Sequence, residues 1–397
     1  MSEQVEIVVV GAGVIGCAVA ERLARAGHEV FVIEKNPGVT QGENQSSRNS
    51  GVIHAGLYYD RQQRPHKARL CVRGNRLLYR FCQRYQVPAL QCGKLVVAAK
   101  QEEVPILEHY LARARDNGVP CELIPGPRAR EMEPNVRAVA ALHLPTSGVI
   151  DPTALVQKLY ALAAGHGAQF LVQTELVEAR ARGQALELTI RYRDGAQDRF
   201  AAGRMINCAG LYADQVARLL EPGSPYTLDP SRGEAACFYR TKRPELWLEG
   251  MNVYPTPRRL VLKEGTYFTV GVHLTPTLEP RMQGPPVVGP VVTVGPLNLP
   301  ARGREDFGGE HQPMRRFWQE VAPFFPGLRE DDLQPYQVGV QARLAGHQDW
   351  VFHPDPVHPP SLHLLGFDSP ALTSCLAIAE KVAGFVERGP QALAPEA

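Results

Sequence analysis

Three observations predict an α/β fold, α+β over the whole chain. Glu6 to Lys35 reads as strand, glycine turn, helix and second strand. Two later stretches, Met205 to Leu220 and Ser361 to Val386, repeat the order of a strand running into a helix. Between them lie segments of alternating apolar residues, which predict a second, mostly antiparallel sheet.

Within the first unit, Glu6-Ile7-Val8-Val9-Val10 is an apolar run of strand length entering Gly11-Ala12-Gly13-Val14-Ile15-Gly16. Val14 to Ala26 follows a helical pattern and Gly27 stands where a helix stop belongs. Val30-Phe31-Val32-Ile33 then delivers Glu34 and Lys35. Gly11 permits the tight turn, Gly13 lets a pyrophosphate approach the backbone, and Gly16 lets helix and sheet pack closely. Amides at the helix start favour phosphate charge. A carboxylate at Glu34 suits adenosine ribose hydroxyls and repels a 2′-phosphate, so this Rossmann-like unit is expected to take FAD or NAD rather than NADP.

A polar loop, Gly38 to Ser50, precedes a patterned helix over Lys67–Tyr85. Gly93–Ala99 reads as a strand, Glu102–Asn117 and Leu155–Ala164 as helices, and Gln169–Val172 as a strand. Leu186–Tyr192 and Arg199–Phe200 predict a hairpin about Asp194-Gly195. Met205–Gly210 is an apolar strand breaking at glycine before a helix over Ala213–Leu220. Alternating strands follow at Ala235–Tyr239 and Tyr267–His273, and the proline-dense Pro276–Arg304 is expected to be loop or edge strand. Ser361–Leu365 is a short strand, Ser369-Pro370 opens a helix to about Val386 with Pro at its first position, and the tail after Gly389 frays. The expected division is 1–88, 150–215 and 345–397 for the nucleotide domain, interleaved with 89–149 and 216–344 for a substrate domain.

Net charge of +2 and the lack of a basic stripe interleaved with aromatics argue against a nucleic-acid partner. No apolar run is long enough to span a bilayer, and the first strand starts too near Met1 for a leader, so a cytoplasmic protein is expected, peripheral membrane contact staying open. Eight scattered cysteines without a C-x-x-C pair suit free thiols in a reducing compartment. The prolines of His353-Pro-Asp-Pro-Val-His358 break any helical ligand face, so no metal is expected.

A second cluster favours FAD over NAD. Ser46-Ser47-Arg48-Asn49-Ser50-Gly51 supplies hydroxyl, amide and guanidinium groups just past the second strand, where a ribityl chain and isoalloxazine need donors. Near the other end, His363 ends a strand, and Ser369-Pro370-Ala371-Leu372-Thr373 opens a helix whose start would stabilise charge on a reduced flavin. With no second glycine fingerprint and no redox cysteine pair, electrons are expected to come from an organic substrate and leave to oxygen, a quinone or a carrier.

These segments resemble the FAD-dependent D-amino-acid-oxidase superfamily, and within it the L-2-hydroxyglutarate dehydrogenases and oxidases. The resemblance runs through Ser46–Gly56, Lys67–Val72, Cys92–Ala98, Ser147–Asp151, Asn207–Tyr212, Asn252–Pro255 and Gly271–Thr275. It implies oxidation of a 2-hydroxy dicarboxylate to its 2-oxo acid, with hydride passing to flavin N5. The chain departs from the family where Leu365 and Gly366 follow His363, and where Gly339-Val340-Gln341 precedes Arg343. The implied FAD contacts are Gly11, Gly13, Ile15, Gly16, Glu34, Lys35, Ser46 to Gly51, Val177, Cys208, Ala209, Gly210 and Ser369 to Thr373. Base candidates are His54, His363 and His273; His54, nearest the flavin, is also placed for a covalent link. Arg232 and Arg343 are the expected carboxylate clamps, with Tyr254, Tyr59 and Lys67 as further substrate contacts. An amino-acid or amine oxidase on the same scaffold, and a flavin-binding protein without turnover, are the rival readings.

Overall fold

Val5, Ile7, Val8, Val9 and Val10 are all buried, as the centre of a sheet covered on both faces requires. The computed structural model describes residues 4–42, 44–262, 265–279, 281 and 284–395; parts of Pro276–Arg304 and of the C-terminal tail lie outside these. Its helices are α1 (Val14–Arg25), α2 (Pro65–Tyr85), α3 (Val104–Asn117), α4 (Gly126–Met132), α5 (Pro152–Gly165), α6 (Ala213–Leu220), α7 (Met314–Val321) and α8 (Ala371–Arg388).

The first sheet runs in space Thr174–Arg182, Ala185–Tyr192, Gln197–Asn207, Gln4–Val10, Val30–Ile33, Gln169–Leu171. Gln4–Val10 pairs in parallel with both its neighbours, and Leu362–Leu365 joins Gln197–Asn207 in parallel through Ile206 and Asn207. Segments far apart in sequence therefore end side by side. α1, α2, α5 and α8 cover one face around Val19, Leu23, Leu78, Leu155 and Ile378, while α6 and the hairpin strands cover the other through Val216, Leu188 and Met205.

The second sheet has the order Gln334–Gln341, Ser231–Tyr239, Val287–Pro300, His273–Glu279, Asn252–Pro255, Lys94–Ala98, Ala140–Leu144, Glu122–Pro125. Strand alternation gives it two different faces. Leu95, Val97, Val253 and Leu274 pack with Phe317, Phe324 and Phe325. Val96, Ala98 and Tyr254 point the other way, toward Ala55, Leu57 and Tyr58.

Four expectations need correction. The expected strand Tyr267–His273 is divided between Gly265–Thr269 and His273–Glu279, and the chain after Gly389 turns into a short 3-10 helix, Pro390–Leu393, with Leu393 buried, rather than fraying. Val287–Pro300 is an interior strand, bonded on both sides, not loop or edge. Its prolines sit where pairing slips: Pro296 opposite the shift between Glu234 and Ala236, Pro290 opposite that between Pro276 and Leu278. A missing N–H costs nothing at such irregular positions. At the last helix, Pro370 is the N-cap rather than the first helical residue. The strands Val351–Pro354 and Gln334–Gln341 lay beneath proline-rich or polar sequence that hid their alternation.

Candidate active site

The glycine turn is packed as tightly as its sequence demands. A Cβ on Gly16 would lie 1.8 Å from the Gly11 carbonyl oxygen, and one on Gly11, whose φ is +98°, would lie 2.6 Å from that of Cys208. Glycine is therefore required at both positions. Ser46 reaches across from its loop, and its Oγ accepts the Val14 amide at 2.8 Å. The amides of Gly13 and Ile15 meet no acceptor among the described residues, which leaves the start of α1 open to an anionic group. Glu34 is buried; Oε2 accepts the Ala12 amide at 2.7 Å, and Oε1 accepts the Asn36 amide and side chain. Oε1 is thus saturated, and Oε2 keeps one lone pair for a ribose hydroxyl. Lys35 is held instead by Glu305 at 3.1 Å and by the ring of Tyr212.

The loop after the second strand folds by its own side chains. Asn44 accepts the Ser46 amide, the Ser47 hydroxyl donates to the Asn44 carbonyl, and Asn49 bonds both Ser46 and Gly51. Arg48 stacks on Phe307, with its guanidinium 4.7 Å from the ring centre. Ser50 is half-buried; Gly51, with φ +67°, has the Ile150 carbonyl oxygen 2.2 Å from where a Cβ would stand. Cys208 is buried, its amide on the Val10 carbonyl, while Ala209 and Gly210 reach the surface where the strand ends. Val177 is half-buried on Thr174–Arg182, at that strand's register shift.

Both ends of the chain meet at His54. Thr373, in the first turn of α8, accepts the His54 amide at 3.0 Å and donates to the Val52 carbonyl. Ser369 Oγ lies 3.4 Å from His54 Nε2, with Pro370, Ala371 and Leu372 following at the helix start. Burial, then the neighbouring Lys94 and His273, holds the His54 imidazole well below the usual histidine range, so the ring is neutral. Tyr59 is buried with its hydroxyl toward Ser369 and Asp368, and burial raises it well above the ordinary phenol value.

Opposite stands the second sheet. Tyr254 stacks on His273, centroids 3.7 Å apart and planes 14° from parallel. Lys94 places Nζ 3.7 Å from the Tyr254 centroid and 5.6 Å from that of Tyr58. Burial lowers His273 to about 3 and Lys94 to about 7. Lys94 is 2% exposed, and among the described residues no acceptor or carboxylate bonds it. Beside it Tyr58 Oη and Asn252 Oδ1 are sealed polar atoms with no hydrogen-bond partner among the described residues.

Lys94 was not singled out by the sequence. A signal was present: in an arginine-rich chain with 8 lysines, one begins the otherwise apolar strand Lys-Leu-Val-Val-Ala. Lysine is the cation that changes protonation on burial.

Four expected site residues are engaged in other contacts or turned to solvent. His363 is fully buried between Asp355, 2.8 Å from Nε2, and Asn207, 3.0 Å from Nδ1, so neither nitrogen is free to act as a base. Lys67 is paired with Asp368 at 2.7 Å, which spends its charge on the loop entering α8. Arg232 is buried in an ion network with Glu234 and Asp306 at 2.8 and 3.1 Å. Arg343 is exposed on the turn after Gln334–Gln341, where its carbonyl accepts the Asp229 amide. For Lys67, whose carboxylate stands 301 positions away, local sequence does not distinguish a clamp from a structural cation.

Comparison with known proteins agrees with this geometry. Residues 6–384 match the family model described as FAD dependent oxidoreductase. The chain belongs to this family: it is an FAD-dependent oxidoreductase, and FAD is its cofactor. The mitochondrial L-2-hydroxyglutarate dehydrogenase of Arabidopsis thaliana is 32% identical over 96% of this chain and 83% of its own. That of Caenorhabditis elegans is 31% identical over 95% and 92%. Among solved structures, L-alpha-glycerophosphate oxidase from Mycoplasma pneumoniae with FAD bound superposes with a TM-score of 0.83 at 23% identity, covering 97% of this chain and 95% of that one. Glycine oxidase from Geobacillus kaustophilus gives 0.78 at 19%, covering 98% and 96%. Both share the fold. No helix among the described residues is long and apolar enough to cross a membrane.

Proposed function

We propose that the chain oxidises an L-2-hydroxy acid, L-2-hydroxyglutarate foremost, to the 2-oxo acid. The observation that supports this reading most is a neutral histidine, His54, on the cofactor loop, in the electrostatic neighbourhood of a buried lysine, Lys94, that packs on the rings of Tyr254 and Tyr58. The two relatives named as L-2-hydroxyglutarate dehydrogenases point to the same substrate.

Bound FAD supplies the two-electron acceptor for the C2 hydrogen and its electron pair. The open start of α1, Glu34 and the Ser46–Gly51 loop would hold the nucleotide half, and Ser369–Thr373 the ring end. His54, uncharged at working pH, takes the hydroxyl proton as C2 becomes a carbonyl, which leaves C2 without its hydride and oxygen without its proton. Burial keeps Tyr59 and Tyr254 protonated, so each offers a hydroxyl donor to the substrate rather than a base.

Anaerobic mixing of the yellow holoenzyme with L- and D-2-hydroxyglutarate, lactate, malate and a set of amino acids tests this. Bleaching by an L-2-hydroxy acid is expected. Bleaching by amino acids alone, or by nothing offered, would defeat it.

A further inference from the structure

Three lysine or arginine side chains are buried among the described residues. Lys67 is neutralised by Asp368, and Arg232 by Glu234 and Asp306. Lys94 has no counter-ion, although it is as deeply buried as the other two. A cation left out of water without a partner is expensive unless something supplies the opposite charge. The groups facing it are neutral. His54 comes from the cofactor loop, His273 and Tyr254 from adjacent strands of its own sheet, Tyr58 from the loop above, Cys71 from α2, and Cys92 from its own approach. Burial pushes both thiols up to about 12 and keeps His273 near 3. The unpartnered Tyr58 hydroxyl lies on the same side as Nζ, so the surroundings of the amine hold a polar group with bonding capacity left over for a ligand.

We infer that Lys94 receives the substrate carboxylate beside the reacting carbon, and that arrival of this anion draws a proton from solvent onto the amine. Only the identity of the carboxylate's bearer rests on the hydroxy-acid reading. In the free site burial lowers the ammonium to about 7, so amine and ammonium coexist near neutrality. A carboxylate at bonding distance favours the charged form, so bound and free enzyme differ by a proton. The arrangement selects anions: an uncharged alcohol leaves the ammonium unpaired, and a cationic amine meets a like charge. It also holds the carboxylate on the Tyr254 side of the site, opposite His54, so that the C2 hydroxyl lies between the two.

The test uses FAD-loaded protein titrated with 2-oxoglutarate and with pyruvate, read by perturbation of the oxidised flavin spectrum. Calorimetry in two buffers of different ionisation enthalpy counts protons. At pH 8 we expect uptake of close to one proton per ligand, with affinity falling about tenfold per pH unit between pH 7 and 9. Lys94→Met should keep its yellow colour, bind both 2-oxo acids about a hundredfold more weakly and take up no proton. Lys94→Arg, always charged, should bind with a flat pH profile and no uptake, which guards against mistaking a misfolded Met variant for a result. Met-variant binding equal to the parent's, no uptake by the parent at pH 8, or no binding by the parent at all would each overturn the inference. If anion binding needs Lys94 but no hydroxy acid bleaches the flavin, the receptor stands and the substrate reading falls. If L-2-hydroxyglutarate bleaches Lys94→Met with unchanged KM, the reverse holds.

Discussion

His54 and His363 are the same side chain in opposite circumstances. His54 has one distant hydroxyl near Nε2 and neutral or cationic neighbours, whereas His363 has both nitrogens committed in a fully buried chain from Asp355 to Asn207. Substituting His54 by Ala should lower kcat by roughly 10²–10⁴, the usual worth of a positioned base, with FAD content unchanged; single-turnover flavin reduction measures it. The sign of its pH effect follows from its depressed titration. A base must be unprotonated, and His54 stays so well below the usual histidine range, so the acid limb of kcat on this residue falls below pH 6.5. His363→Leu should behave differently. It leaves a buried Asp355 oxygen without its donor, costing about 1–3 kcal/mol by denaturant midpoint, while folded protein keeps its flavin-reduction rate. Equal loss of kcat in both variants at unchanged stability would remove this distinction.

At the scale of elements, the strand–turn–helix at the amino terminus was fully legible, because each glycine answers a local contact and the acid follows at fixed distance along the chain. The start of α8 was legible too, as a strand meeting Ser369-Pro370, although its bond from Thr373 to the His54 backbone was not: the two residues stand 319 positions apart. Glu34 shows what local reading leaves out. Its carboxylate is also a structural acceptor, closing the turn through the Ala12 amide. Glu34→Ala therefore removes a ribose acceptor and strands a buried N–H together. We expect FAD to dissociate about 10- to 100-fold more readily, the range for bonds to a charged group. Flavin fluorescence after serial dilution measures it, and occupancy equal to the parent's would refute the role.

Over the whole molecule, the interleaving of two sheets follows from the order of strand–helix units, and that order is visible in the sequence. The fate of each cation is not. Lys67, Arg232 and Lys94 each stand in plausible motifs, yet the first finds a carboxylate 301 positions away, the second finds Glu234 on its own strand and Asp306 74 positions on, and the third finds none among the described residues. That difference should appear in global stability. Lys94 titrates at about 7 when folded and at 10.5, the ordinary lysine value, when unfolded, so between these values the unfolded state binds more protons and stability rises with pH. Below pH 7 both states are charged and the full penalty applies, roughly 5 kcal/mol at about 1.4 kcal/mol per unit. Lys94→Met has no such slope. At fixed excess FAD, to keep cofactor linkage constant, the variant should gain stability over the parent most at pH 6. The gap should shrink steadily through pH 8 and 9, as read by urea unfolding. A gap that does not change with pH would mean that Lys94 is solvated or paired in solution, and the uncompensated charge at the centre of the site would be lost with it.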